Sequence, residues 1–170
     1  MRKLGIIFSG IVSVLVTYYF FPGKPLDENK IIDKILVLKS KRQLQVFNKG
    51  KLIKTYKISL GREPVGAKQF EGDDKTPEGQ YIINDKNPNS GYHLNLGISY
   101  PSASDIQFAK SKGKSPGGLI KIHGLKNGRG FIGKFHRFFD WTHGCIAVTN
   151  KEIEELYHNV EIGTIIEIRK

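Results

Sequence analysis

Cys145 is the only cysteine of the 170-residue chain, and it closes the stretch Thr142-His143-Gly144-Cys145. A second histidine, His123, ends the apolar run Leu119-Ile120-Lys121-Ile122 and is followed by Gly124. A thiol acts as a nucleophile when a base or an electropositive setting removes its proton, and imidazole supplies both. The base need not be close in sequence, because a fold brings separate strand ends together. His123 is therefore the preferred base. His143, separated from Cys145 by one residue, is the less favoured base. Backbone N–H groups at Gly144 and Cys145 are candidates for an oxyanion site. Together these parts make an acyl-transfer constellation.

Two other readings stay open. His123, His143 and Cys145 would also make a three-ligand zinc set, although no finger or zincin spacing accompanies them. No metal or other cofactor is expected. A lone cysteine is also often a small buried hydrophobe, which would leave a binding module without chemistry. Tyr92, Tyr100, Trp141, His136 and Arg137 are candidates for contacting a substrate; core packing is the alternative for both tyrosines, and lid packing for Trp141 and His136. His93 reads as a solvent-facing strand histidine, and His158 as a cation near a helix C-terminus. Asp73 and Asp74 read as turn residues.

The elements that must position these residues are mostly strands. Ile35–Leu38, Gln43–Phe47 and Leu52–Ser59 form a meander around the turn Asn48-Lys49-Gly50. A Gly-, Pro- and Asp-rich loop tightens at Thr76-Pro77-Glu78-Gly79 before a strand at Tyr81–Ile83. Tyr92, Leu94, Leu96 and Ile98 alternate as in a half-buried strand. A short helix after Pro101 runs into a basic loop, and Leu119–Ile122 makes the strand that delivers His123. Thr149 and Glu152 stand in capping-box relation ahead of a helix with Ile153, Leu156, Tyr157 and Val160 on one face. A strand at Thr164–Ile168 closes a mainly β domain with a few short helices.

Leu4 to Phe21 carry no formal charge over eighteen residues, a reach of roughly 27 Å as a helix. Residues 1–25 are therefore expected to be a cytoplasmic tip and an uncleaved transmembrane anchor, with residues 26–170 outside the cytoplasm. The chain has 27 Lys+Arg against 16 Asp+Glu. Such a surface favours anionic polymers or headgroups, and outside the cytoplasm nucleic acid is not the expected partner. A lone cysteine there points to a reactive thiol or an intermolecular bridge.

The block Thr-His-Gly-Cys at 142–145, preceded by Ile-His-Gly at 122–124 and by "GDDKTPEGQYII", resembles the L,D-transpeptidase catalytic domain, the YkuD-like family, in its murein L,D-transpeptidase subgroup. The resemblance covers roughly residues 33–169. It implies a β-sandwich-like catalytic fold acting on peptidoglycan stem peptides in the bacterial cell envelope. Cys145 would match the nucleophile, His123 the base, and the Gly124 carbonyl the group that orients the imidazole. Thr142, His143 and Gly144 would match the positions that shape the pocket and oxyanion site, and Thr76, Pro77 and Gly79 a structural turn. The resemblance implies transpeptidation through a Cys145 thioester; L,D-carboxypeptidase or amidase action on the same substrates is the alternative. Two departures stand out: eighteen residues separate His123 from Thr142, and Ala147 occupies a position where many members carry Arg or Asn.

Overall fold

The structure, a computed structural model, describes residues 2–21, 23–27 and 30–170, with side chains from residue 7 onward. Strands β1 (Ile32–Leu38), β2 (Gln43–Asn48) and β3 (Lys51–Lys57) form the expected meander. The β2–β3 connection is a two-residue turn in which Lys49 and Gly50 have φ of 48° and 74°. This is the turn geometry that matches the twist of a hairpin. Strands β4 (Gly79–Ser90), β5 (His93–Ile98), β6 (Lys121–His123), β7 (Ile146–Ala147) and β8 (Val160–Arg169) complete a sheet ordered β3-β2-β1-β8-β4-β5-β6-β7.

The expected sandwich-like arrangement is thus one continuous sheet, and it curls until its ends meet. Past β3, Ser59 exchanges both backbone hydrogen bonds with Ala147 of β7, at 3.0 and 2.9 Å. The last strand returns parallel to β1, with Ile35 beside Ile166. Strand β4 runs well beyond Tyr81–Ile83, because its polar half Asp85–Asn87 pairs with β5. Pro88, which has no N–H for a ladder, falls where that register shifts.

The core lies inside the curl, where Ile35, Val46, Ile83, Leu96, Ile122 and Ile166 are fully buried. Helix α3 (Asn150–Asn159) covers it with Ile153 and Leu156. Its start is fixed as the sequence implied: the Thr149 N–H and Oγ1 both donate to Glu152 Oε2, at 3.0 and 2.8 Å. Helix α2 (Ala103–Ser111) begins at a Ser102–Asp105 capping box.

The N-terminal segment forms helix α1 (Arg2–Phe20). Of the expected anchor, Met1 and Pro22 lie outside the described residues. Among the described residues no helix is long and apolar enough to cross a membrane, so the structure does not support the transmembrane expectation or the membrane contact that rested on it. Helix α1 also carries Ser9, Gly10, Ser13, Thr17 and two tyrosines. Its last turn engages protein: Tyr19 Oη donates to Phe131 O at 2.6 Å, and Lys134 Nζ reaches the Tyr18 and Phe21 carbonyls.

Candidate active site

Strands β6 and β7 run parallel, with Ile122 beside Ile146 and His123 beside Ala147. Cys145 immediately precedes β7, so this register sets it across from Lys121. Side chains two apart along a strand share a face, which turns Lys121, His123 and Cys145 to one side. All three line a cavity of about 790 Å³, within the usual range of small-ligand sites.

His123 is buried and its Nδ1 donates to the Gly124 carbonyl at 2.7 Å. That bond places the proton on Nδ1 and leaves Nε2 with a lone pair, the form a general base needs. Burial holds the imidazole below its ordinary range, the Gly124 carbonyl opposes this, and Lys121 adds to it. Burial likewise pushes the Cys145 thiol up, against the Lys121 N–H and the Lys121 and Lys68 ammonium groups. The sulfur lies 3.6 Å from the Leu119 carbonyl. The resting pair is thus a thiol and a neutral imidazole.

The loop carrying the thiol is held from within. Thr142, buried, donates through Oγ1 to the Cys145 carbonyl at 2.7 Å and accepts the Gly144 N–H at 3.1 Å. Gly144 therefore directs its N–H to Thr142 inside the loop, where the sequence expectation had it turned toward an oxyanion. No such bond occupies the Cys145 N–H among the described residues. Gly144 has φ of 120°, and a Cβ there would sit 2.5 Å from the Lys75 carbonyl. Glycine is required by the close approach of segment 74–76, whose Thr76 Oγ1 accepts the Gly61 N–H. Buried Lys39 ties that segment down through the Gly66 and Thr76 carbonyls and Glu78.

His143 lines the cavity with Cys145, and its Nδ1 meets Asp74 Oδ1 at 2.7 Å. Asp74 is thus more than a turn residue. Asp73 does serve the turn, accepting from the Gln69, Phe70 and Lys75 N–H groups.

Among the candidate substrate contacts, Tyr92, Trp141 and His136 line the cavity. Tyr92 packs on His123 with ring centroids 4.7 Å apart, and Trp141 follows at 5.7 Å from the same imidazole. Trp141 Nε1 donates to His136 Nδ1 at 3.4 Å, which puts the His136 proton on Nε2. That atom is buried with no partner among the described residues, as is Asn95 Oδ1, and both residues line the cavity.

Tyr100 and Arg137 do not line it, which corrects both expectations. Tyr100 is buried against Tyr81 and donates to the Pro116 carbonyl at 2.9 Å. Arg137 Nη2 is spent on both Glu152 oxygens at 2.6 Å, tying the segment after His123 to α3. His93 Nε2 pairs with Glu154 at 2.6 Å, away from the cavity.

Sequence reasoning missed Asp140, Arg62, Lys126 and Arg129. Asp140 accepts the Leu60 N–H at 2.9 Å and the Arg42 guanidinium, bracing the chain two residues before Thr142. The cations line the cavity, and the Lys-Asn-Gly-Arg turn directly after His123-Gly124-Leu125 was their one visible signal.

A model of the L,D-transpeptidase catalytic domain, YkuD, matches residues 32–168. The chain belongs to this family. Its members act in peptidoglycan metabolism at the cell wall. The chain is 31% identical over 133 residues to the L,D-transpeptidase-family protein YafK of Escherichia coli (strain K12), covering 74% of this chain and 46% of that protein. It is similar to the helical cell shape determining protein Pgp2 of Campylobacter jejuni, with TM-score 0.62 and 26% identity over 84% of this chain and 49% of that one. L,D-transpeptidase 1 of Mycobacterium tuberculosis shares the fold, with TM-score 0.50 and 15% identity over 81% of this chain and 60% of that one. The chain spans about half the length of YafK and Pgp2.

Proposed function

We propose that this L,D-transpeptidase-family chain uses Cys145 to transfer an acyl group between peptidoglycan stem peptides. The observation that carries the reading is the β6–β7 register, which turns His123 and Cys145 to one face above a shared cavity. His123 Nε2 takes the thiol proton as the sulfur attacks the carbonyl at the L-configured third stem residue. The oxyanion that forms is met by the Cys145 N–H. Collapse expels terminal D-alanine, whose amine takes the proton from the imidazolium and leaves a thioester. An amine of a neighbouring stem then attacks the thioester, loses its proton to His123, and the sulfur departs to be reprotonated.

Neutral resting groups suit this order, because the charge pair is created only as the substrate arrives and displaces water. The chemistry belongs to the cell envelope, where such stems occur.

Product analysis tests the reading. The chain incubated with disaccharide tetrapeptides should yield cross-linked dimers joined through the third residue, together with released D-alanine. Tripeptides alone would identify an L,D-carboxypeptidase, in which water replaces the amine. Unchanged tetrapeptides would contradict the proposal.

A further inference from the structure

The cavity carries Arg62, Lys121, Lys126 and Arg129, and no Asp or Glu lines it among the described residues. Four cations in one cavity repel each other unless an anion joins them. Two are loosely matched from outside: Arg62 stands 3.7 Å from Asp74, and Lys121 3.8 Å from Asp85. These separations leave most of their N–H donors free.

Lys126 and Arg129 have no carboxylate partner among the described residues, and both are exposed. They are nevertheless held in place by their backbone. The Arg129 N–H donates to the Lys126 carbonyl at 2.8 Å. Between them, Asn127 is pinned from three sides: its N–H to Gly91 O, its Nδ2 to Ser90 O, and its Oδ1 from the His93 N–H. The cations are thus presented from an ordered turn.

Their placement separates into two ends. Lys121 lies across from Cys145 in the β6–β7 register, and the Arg62 N–H donates to the Thr142 carbonyl at 3.0 Å, at the start of the loop that carries the thiol. Lys126 and Arg129 follow the C-terminal end of β6, beyond His123.

We propose that the cavity selects a peptide bearing at least two free carboxylates, one met by Lys121 and Arg62 beside the thiol and one by Lys126 and Arg129 beyond His123. Stem peptides whose carboxylates are amidated are then poor ligands. This rests on the stem-peptide reading above and adds which stems are taken. A charged acceptor on guanidinium is stronger than a neutral one, and a carboxamide in its place loses that charge and turns N–H groups toward N–H donors.

The test uses the one tryptophan of the chain, Trp141, which lies in the cavity wall. The full chain carrying Cys145→Ser is titrated with a stem tetrapeptide having all carboxylates free, and with its fully amidated counterpart, following Trp141 fluorescence. Wild-type turnover of both peptides is measured alongside.

The free-acid peptide should bind at least tenfold tighter. The Lys126→Gln/Arg129→Gln pair should weaken it about fivefold to tenfold, leave the amidated peptide unmoved, and flatten the salt dependence. Equal binding of the two peptides, binding of neither, or a double variant that weakens both alike would overturn the inference. Selective binding without turnover would instead overturn the transferase reading and leave the charge selection standing.

Discussion

Thr142→Val isolates the bond that holds the nucleophile loop. The two side chains have nearly the same shape, and Thr142 is 4% exposed, so the change removes a hydroxyl without opening a cavity. Two backbone groups lose their partner: the Cys145 carbonyl, now 2.7 Å from Oγ1, and the Gly144 N–H at 3.1 Å. A buried group left unsatisfied costs about 1–3 kcal/mol. Together they place the variant about 2–6 kcal/mol below wild type. At about 2–4 °C per kcal/mol for a chain of this size, the melting midpoint falls by roughly 4–24 °C. Thr142→Ser keeps the hydroxyl and loses one methyl, about 1 kcal/mol. Urea unfolding of the three proteins gives the stabilities, and iodoacetamide labelling of the folded proteins reads the thiol. Serine should preserve the wild-type labelling rate and valine should not. A valine variant as stable as the serine variant, with unchanged labelling, would refute the reasoning.

Three further outcomes follow from the buried charges. Burial and then Arg137 push the His136 imidazole down to about 4, below its value of about 6.5 in an unfolded chain. The unfolded chain therefore binds the proton first: the contribution is intact above pH of about 6.5 and is lost as pH falls to about 4, by about 3 kcal/mol. His136→Gln should show an acid loss about 2–3 kcal/mol smaller in denaturant titrations at pH 7 and 4.5; an identical loss would contradict the assignment. Because burial raises the Cys145 thiol, the rate of iodoacetamide labelling should keep climbing above pH of about 8.5, the ordinary thiol value. Lys121→Met should move that rise to still higher pH, and a plateau by pH of about 7 would contradict the neutral resting pair. Lys39→Met strips the Gly66 and Thr76 carbonyls and Glu78 of their shared donor, so unfolding should be easier by about 2–3 kcal/mol. Wild-type stability in that variant would remove Lys39 from the account of the loop.

The meander, the Asn48-Lys49-Gly50 turn and the capped helix at Asn150 were legible because each is written in local residues: alternation, a turn triplet, a capping pair. The parallel return of β8 beside β1 was not, since the partners are more than a hundred positions apart and nothing in Ile165 or Ile166 names a neighbour. The polar half of β4 reads as loop until Asn95 and Leu96 lie beside it.

At the site, residue type and strand-end position pointed to His123 and Cys145, which the β6–β7 register brings to one cavity. The Asp74 partner of His143 was not legible, because the two lie far apart in sequence and meet only where the loop at Gly144 approaches segment 74–76. The same loop redirects the Gly144 N–H to Thr142. Tyr100 and Arg137 looked like binding residues because aromatic and guanidinium side chains favour ligands. Each instead found an interior partner, Pro116 for one and Glu152 for the other. The apolar N-terminus was read by its lack of charge, and the contacts of Tyr18 and Tyr19 with residues 131–138 were not legible in it.

The most direct test weighs the intact protein after brief mixing with a stem tetrapeptide ending in D-alanine. The account predicts a single covalent increment equal to the peptide less D-alanine, located on Cys145, missing in Cys145→Ala and strongly diminished in His123→Ala. An increment that persists in Cys145→Ala, or full acylation without His123, would contradict it.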